Sequence, residues 1–518
     1  MTSQDHLDLY LSKPESAAAG ARAWLGLALL ALPTLLLGLD LTLLHLALPA
    51  LAADLRPTST EALWIMDAYG FMIAGFLITM GTLGDRIGRR KLLMMGAAAF
   101  AVASVLAAFS TSAPMLIAAR ALLGIAGATL MPSTLALITN MFADPRQRAL
   151  GFGIWATMFA LGMALGPIVG GVLLAQFWWG AAFLIAVPVL GLLLLLAPVL
   201  LPEYRAAHAD RLDLISVGLS LAAMLPVIYG IKQIAKDGFG LQPMGAMAAG
   251  LIFAALFVGR QRRLADPLLD VRLFANRAFG VALIVLLFGL VAVGGTMLLV
   301  TQYLQLVAGL SPLVAGLWMG PPALAMVAAG LAAPLIARRI RPGFVVAGAL
   351  GLSAVGYLML TQLDNSASGI VLVVAGFSLA YLGLGTNAAL GTDLVVGSAP
   401  ADKAGSAAAM SETVQDLGVS LGIATLGSLA TALYRGQMLE RIPEGLGPAV
   451  QEAVGDSLWA VSSVAVDLPH GLIDEARAAF MAGFSVAALV SAVGVSMLAA
   501  LAAVSLRRVD VIGTQADS

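Results

Sequence analysis

Gly81-Thr-Leu-Gly-Asp85-Arg86-Ile-Gly88-Arg89-Arg90-Lys91 stands between two long apolar runs, near 62–83 and 92–110. The glycines permit a tight turn between two helices. Asp85 can face a neighbouring helix N-terminus, and the arginines can pair with acidic partners. An ordered pattern of this kind predicts a breakable latch between two spans, whereas a topology signal alone needs only a basic cluster.

Outward from this loop the apolar runs continue in both directions, near 23–50, 62–83, 92–110, 114–138, 150–174, 182–201, 212–232, 243–260, 279–301, 311–337, 343–362, 369–392, 406–434 and 477–505. These fourteen predicted spanning helices make an all-α membrane protein. Composition agrees, with 60% hydrophobic and 11% charged residues against about 25% charged in a soluble domain. An even number of spans puts both termini on one side. With that side cytoplasmic, 21 of the 28 Lys and Arg residues fall inside, six outside and Arg120 within a span.

Several classes are excluded. A net charge of −1 argues against a nucleic-acid binder, and the absence of cysteine excludes disulfides and thiolate zinc sites. The 4 histidines do not cluster as metal ligands, so no metal site is predicted. There is no Gly-x-x-x-x-Gly-Lys-Ser/Thr, so no ATP hydrolysis, no enzyme activity and no cofactor is predicted for this chain, and a proton gradient is the expected energy source.

The loop pattern resembles the signature of the major facilitator superfamily. Arg120, Gly124 and Gly127 in the fourth span are similar to its Arg-x-x-x-Gly pattern. In the fifth span Gly162, Gly166, Pro167, Gly170 and Gly171 resemble the Gly-x-x-x-Gly-Pro-x-x-Gly-Gly motif of its drug antiporters. Leu39-Asp40-Leu41-Thr42 and Ala47-Leu48-Pro49, with fourteen spans, resemble the drug/proton antiporter branch that includes the quaternary-ammonium exporters. The resemblance implies the major facilitator fold, with bundles over 23–202 and 279–505 and an inserted helix pair over 203–262. A basic linker would cover 263–278, and cytoplasmic ends 1–22 and 506–518. It implies proton-coupled efflux of cationic amphiphilic drugs, quaternary ammonium biocides and dyes by a monomer in the bacterial cytoplasmic membrane. Export of one endogenous compound and passive facilitation are the alternatives.

Ionisable groups within the hydrocarbon are costly and mark function by default. Asp40 and Arg120 both fall in the outer half of the membrane, where Asp40 could carry a proton beside Arg120, or the two could simply tether helices. Glu412 and Asp416 are four residues apart and share a helix face, so an organic cation could displace a proton from the pair. Glu412 could instead snorkel to the cytoplasmic interface. The resemblance implies roles for this segment in cation binding and coupling. Asp67 with Trp64 and Tyr69 combines a carboxylate with aromatic faces, as recognition of a quaternary ammonium requires, or else forms an interfacial belt. On the fifth span, Gly162, Gly166 and Gly170 give a smooth face and Pro167 removes a donor, which predicts a gate or hinge. His45 replaces the residue common in the family.

Two further expectations concern the second half. Its counterpart loop, Ala337-Arg338-Arg339-Ile340-Arg341, lacks the aspartate, so an internal repeat is not legible. Outer loop 435–476 carries Val450, Val454, Leu458 and Val461 at helical spacing, predicting one short amphipathic helix on the outer face.

Overall fold

The computed structural model describes residues 20–142, 144–205, 213–264, 267, 269, 271–363, 367–399, 404–442, 446–463, 468–469, 471–507 and 509. Most of the two predicted cytoplasmic ends, residues 1–19 and 510–518, lies outside them. Fourteen helices are long and apolar enough to cross a bilayer: α1 Ala21–Leu55, α2 Ser59–Ile87, α3 Arg89–Ala108, α4 Ala113–Met141, α5 Leu150–Gln176, α6 Ala181–Leu200, α7 Leu214–Asp237, α8 Leu241–Gln261, α9 Arg277–Val307, α10 Pro312–Ile336, α11 Pro342–Leu360, α12 Gly369–Gly397, α13 Met410–Met438 and α14 Leu472–Ser505. At 1.5 Å per residue the longest of them rise beyond a hydrocarbon core of about 30 Å. The chain is an integral, multi-pass membrane protein.

Helix starts follow from local chemistry. Thr58 caps α2 and exchanges hydrogen bonds with Glu61 in a capping box, while Ser112 and Ser311 accept from the backbone N–H of Met115 and Val314.

The repeat hidden in the sequence emerges from the packing. In the first half α1 packs on α5, α2 on α4, α3 on α4 and α3 on α6; in the second, α9 packs on α13, α10 on α12, α11 on α12 and α11 on α14. Each pair recurs eight helices later. Largely separate apolar cores follow, one around Leu30, Tyr69, Phe100 and Leu123, the other around Phe279, Leu304, Phe377 and Phe484. The halves meet along two seams, α2 against α13 and α5 against α10.

α7 and α8 fall outside the repeat. They pack on each other, and α7 also lies against α2 and α13. Leu214, Ile215, Leu251, Ile252 and Leu256 remain exposed, as side chains facing lipid do. At the cytoplasmic end Arg260 grips Asp213 through two hydrogen bonds of 2.8 and 3.2 Å, tying the two helices together.

Two sequence expectations need correction. Lys232, one of the six Lys and Arg residues that the sequence count places outside, lies within α7 and is buried. The outer loop holds two short helices, Pro448–Asp456 and Leu458–Ser463, separated by an extended Ser457. The break leaves the Asp456 carboxylate free to bind elsewhere, and Val454, Leu458 and Val461 are buried in the second-half core.

Candidate functional site

The first charged cluster joins α1, α2, α4 and α6. Arg120 donates from Nη1 to Asp40 Oδ2 at 2.7 Å and from Nε to the Ile65 carbonyl at 3.1 Å. Its guanidinium carbon stands 4.5 Å from the Tyr69 ring centroid and 5.9 Å from that of Phe183. Arg120 is 2% exposed and Asp40 13%, so access to the pair is from the carboxylate side. Gly124 lets α4 close on α2, since a Cβ there would run into the Tyr69 carbonyl. His45 is buried nearby on α1, with Nδ1 unpartnered among the described residues.

The second cluster holds a residue that sequence reasoning did not place. Asp67 on α2 is fully buried and bonds the equally buried Lys232 of α7, with Nζ at 2.9 Å from Oδ1 and 2.8 Å from Oδ2. The same ammonium lies 3.8 Å from the centroid of the Trp64 ring. The carboxylate and indole marked for a cargo cation therefore already surround an internal cation, and Tyr69 faces Arg120 instead. A lysine in mid-apolar sequence near a predicted helix end reads as an interfacial charge; only the packing of α7 against α2 reveals its partner.

The third cluster lies on α13. Asp416 is buried, and its Oδ2 is unpartnered among the described residues; Glu412, one turn away, is half-buried. Neither belongs to any ion pair among the described residues. The helix is pressed against α2 here, because a Cβ at Gly70 would collide with the Ser420 hydroxyl and come within 3.5 Å of the Asp416 carbonyl oxygen. α13 then widens to a π-turn over Ile423–Gly427, a local irregularity frequent at functional sites.

At the cytoplasmic end the loop signature folds onto its own half. Gly88 has φ +110°, and a Cβ there would strike the Glu203 carboxylate, so two independent constraints favour glycine. Asp85 pairs with Arg89 at 2.6 Å. Arg90 reaches Glu203 and donates to the carbonyls of Pro198 in the last turn of α6 and of Leu201 just beyond it. Arg86 is exposed, and Gly81 lies on the inner part of α2, beside Pro132. In the second half Arg341 donates to the Arg507 carbonyl beyond α14 at 2.9 Å. The arginine-to-carbonyl clasp thus recurs where the aspartate does not.

The helix-five glycines divide between two neighbours. Gly162, Gly166 and Gly170 face α1, where a Cβ would meet Leu35, Thr42 and Leu43. Gly171 meets Pro312 and Leu313 of α10 across the seam between halves, and Gly316 of α10 meets the Pro167 carbonyl in return. Pro167 cannot donate to the carbonyl of Met163, and the Thr42 hydroxyl supplies that hydrogen bond at 3.0 Å.

Among the described residues, the hydrogen bonds between the halves are at the outer end. Asp456 accepts from Ser59 N at 2.7 Å and, at Oδ1, from Ser59 Oγ at 2.9 Å at the start of α2, while Arg435 of α13 donates to Oδ1 as well at 3.1 Å. Gln305 donates to the Leu46 carbonyl at 3.2 Å. Trp459 enters the first-half core. Trp179 is buried and donates to Asp54, whereas Trp178 stays exposed.

Known proteins match this architecture. The family model of the Major Facilitator Superfamily covers residues 30–423. The chain is 44% identical over 499 residues to the multidrug efflux pump LfrA of Mycolicibacterium smegmatis, covering 96% of this chain and 98% of that protein. It is 34% identical to the methyl viologen resistance protein SmvA of Salmonella typhimurium, over 90% and 94% of the two chains. The structure of a bacterial homologue of the human lysosomal transporter Spinster, inward-facing and unoccupied, shares the fold with a TM-score of 0.65 at 14% identity, covering 94% of this chain and 98% of that one. By sequence and by fold alike, this chain belongs to the Major Facilitator Superfamily and is a transporter.

Proposed function

We propose that the protein exports hydrophobic cations, including quaternary ammonium biocides and aromatic dyes, across the cytoplasmic membrane in exchange for protons. The observation that carries the proposal is the pair Glu412 and Asp416, two carboxyl groups on one face of α13 with no counter-cation among the described residues. Asp40 and Asp67 each already face a cation of the protein itself. A buried carboxyl without one is far cheaper to hold neutral than charged, so it can exchange a proton for an arriving organic cation. Likeness to a multidrug efflux pump and to a methyl viologen resistance protein supports drugs as cargo.

In this scheme Asp416 and Glu412 receive the cation, and Asp416, Asp40 and Arg120 couple its passage to protons. Tyr69 fixes the Arg120 guanidinium from its ring face. Rocking of the halves is controlled inside by the clasp of Asp85, Arg89 and Arg90, and along the α5–α10 seam by Gly171 and Pro167. The protein works as a monomer and uses no cofactor.

The test uses purified protein in liposomes under an imposed proton gradient, following a fluorescent quaternary cation and internal pH together. Uphill cation movement with opposed proton movement, abolished in Asp416→Asn, is expected. Cation that only equilibrates while pH stays constant would overturn antiport. A second reading, export of one particular compound, draws on 30% identity to a tetracenomycin C resistance and export protein of Streptomyces glaucescens. Competition by many unrelated cations would refute it.

A further inference from the structure

Among the described residues of α7 and α8, Lys232 is the buried charge. The hairpin stands outside the repeat and exposes apolar side chains along much of its length, yet it sends one ammonium into the seam between the halves. There the ammonium meets both oxygens of Asp67 and the face of Trp64. A carboxylate beside an indole face is the chemistry that recognises an organic ammonium ion.

Holding the hairpin in place does not require this pair. Ile228 already packs with Phe71 and Ala424, supported by Trp64, Leu417 and Leu421, in an apolar contact among α2, α7 and α13. Desolvating both charges costs about as much as their attraction returns, so an apolar pair of similar volume would serve adhesion as well. The position of the pair is informative. Gly70, one turn beyond Asp67, is the point where α2 crosses α13 at Asp416 and Ser420. Asp67 therefore lies on the same α2–α13 seam as the carboxyl groups assigned to cargo, one turn to the outer side of the crossing where they lie to its inner side.

We propose that Lys232 is a tethered counter-cation: it fills the Asp67–Trp64 site until the head group of a hydrophobic monocation displaces it, which makes the inserted hairpin a specificity element of the pump. The cargo class is that of aromatic or quaternary ammonium ions, and the inference rests on cation export as the function. Lysine suits the role, because a single ammonium on a flexible four-carbon stem can leave and return without the forked geometry of arginine.

The test is binding of ethidium, an aromatic monocation, to the full-length protein in detergent. Lys232→Met vacates the site and is expected to tighten ethidium binding at least about fivefold, and millimolar n-propylammonium, which restores a lysine-like head, should reverse the gain. Adding Asp67→Asn to Lys232→Met should abolish the gain. Unchanged or weaker binding by folded Lys232→Met, or a gain that survives loss of Asp67, would overturn the proposal. Should Lys232→Met not fold, Asp67→Asn alone decides: a purely structural pair predicts altered thermal stability with unchanged ethidium affinity, a displaceable one predicts weaker affinity. Wild-type protein that neither binds nor transports ethidium counts against the cargo class. Lys232→Met still tests the placeholder in that case, by gaining binding or failing to.

Discussion

Breaking the Asp40–Arg120 pair from its two ends should have unequal costs. The closest approach is 2.7 Å. With charge centres roughly 4 Å apart and an effective dielectric constant of about 20, the attraction is about 4 kcal/mol. Asp40→Asn leaves a guanidinium only 2% exposed without its counter-charge. That group cannot discharge itself, and the Ile65 carbonyl and Tyr69 ring that also hold it were already engaged. The expected loss of stability is about 3 kcal/mol, toward the lower end of the range for breaking a buried pair. Arg120→Gln instead leaves a carboxyl that can bind a proton, and the cost should fall to about 1–2 kcal/mol. The double variant, with two neutral amides able to bond each other, should cost less than the sum by about 2 kcal/mol. Titration of each variant with SDS in mixed micelles, followed by helix content, measures all three. Equal single costs that add in the double variant would refute the claim that Arg120 depends on Asp40 for its burial.

Gly162→Val should sharply reduce folded yield, because its side chain would be driven into the Leu35 carbonyl, whereas Gly153→Ala has open space and should express normally by size-exclusion profile. Asp456→Asn weakens the bond between the outer loop and α2, and spin labels on the outer ends of the two halves should report a larger population of long distances. Burial would raise the Asp213 carboxyl, but hydrogen bonds from Arg260 and Ser216 outweigh it and hold the group below its usual value. Its contribution is therefore present above the unfolded-state value of about 4 and is lost as pH falls through the lower folded value; the difference in thermal stability between wild type and Asp213→Asn should shrink on acidification below pH ~4.

Much of the fold was legible because bilayer physics is local. A span needs a long apolar run and a cytoplasmic loop attracts Lys and Arg, so the spans, the orientation and the turn at Gly88 could be read along the chain. The loop signature and the helix-five glycines were likewise visible, since close helix approach demands small residues at fixed spacing. The internal repeat was illegible, because it survives as a pattern of helix pairs and as Arg90 and Arg341 bonding carbonyls just beyond α6 and α14, while the aspartate that would have announced it is absent from the second loop.

By itself the sequence determined which residues are too polar to face lipid: Asp40, Asp67, Arg120, Glu412 and Asp416 had to find partners or serve a purpose. Tertiary structure alone decided which of them are already neutralised. Arg120 goes to Asp40 across 80 positions of sequence and Lys232 to Asp67 across 165, while the carboxyls of α13 have no cation among the described residues. Charge pairing acts over a few ångströms of space, and the chain order that spaces these residues carries no record of which helices will stand side by side.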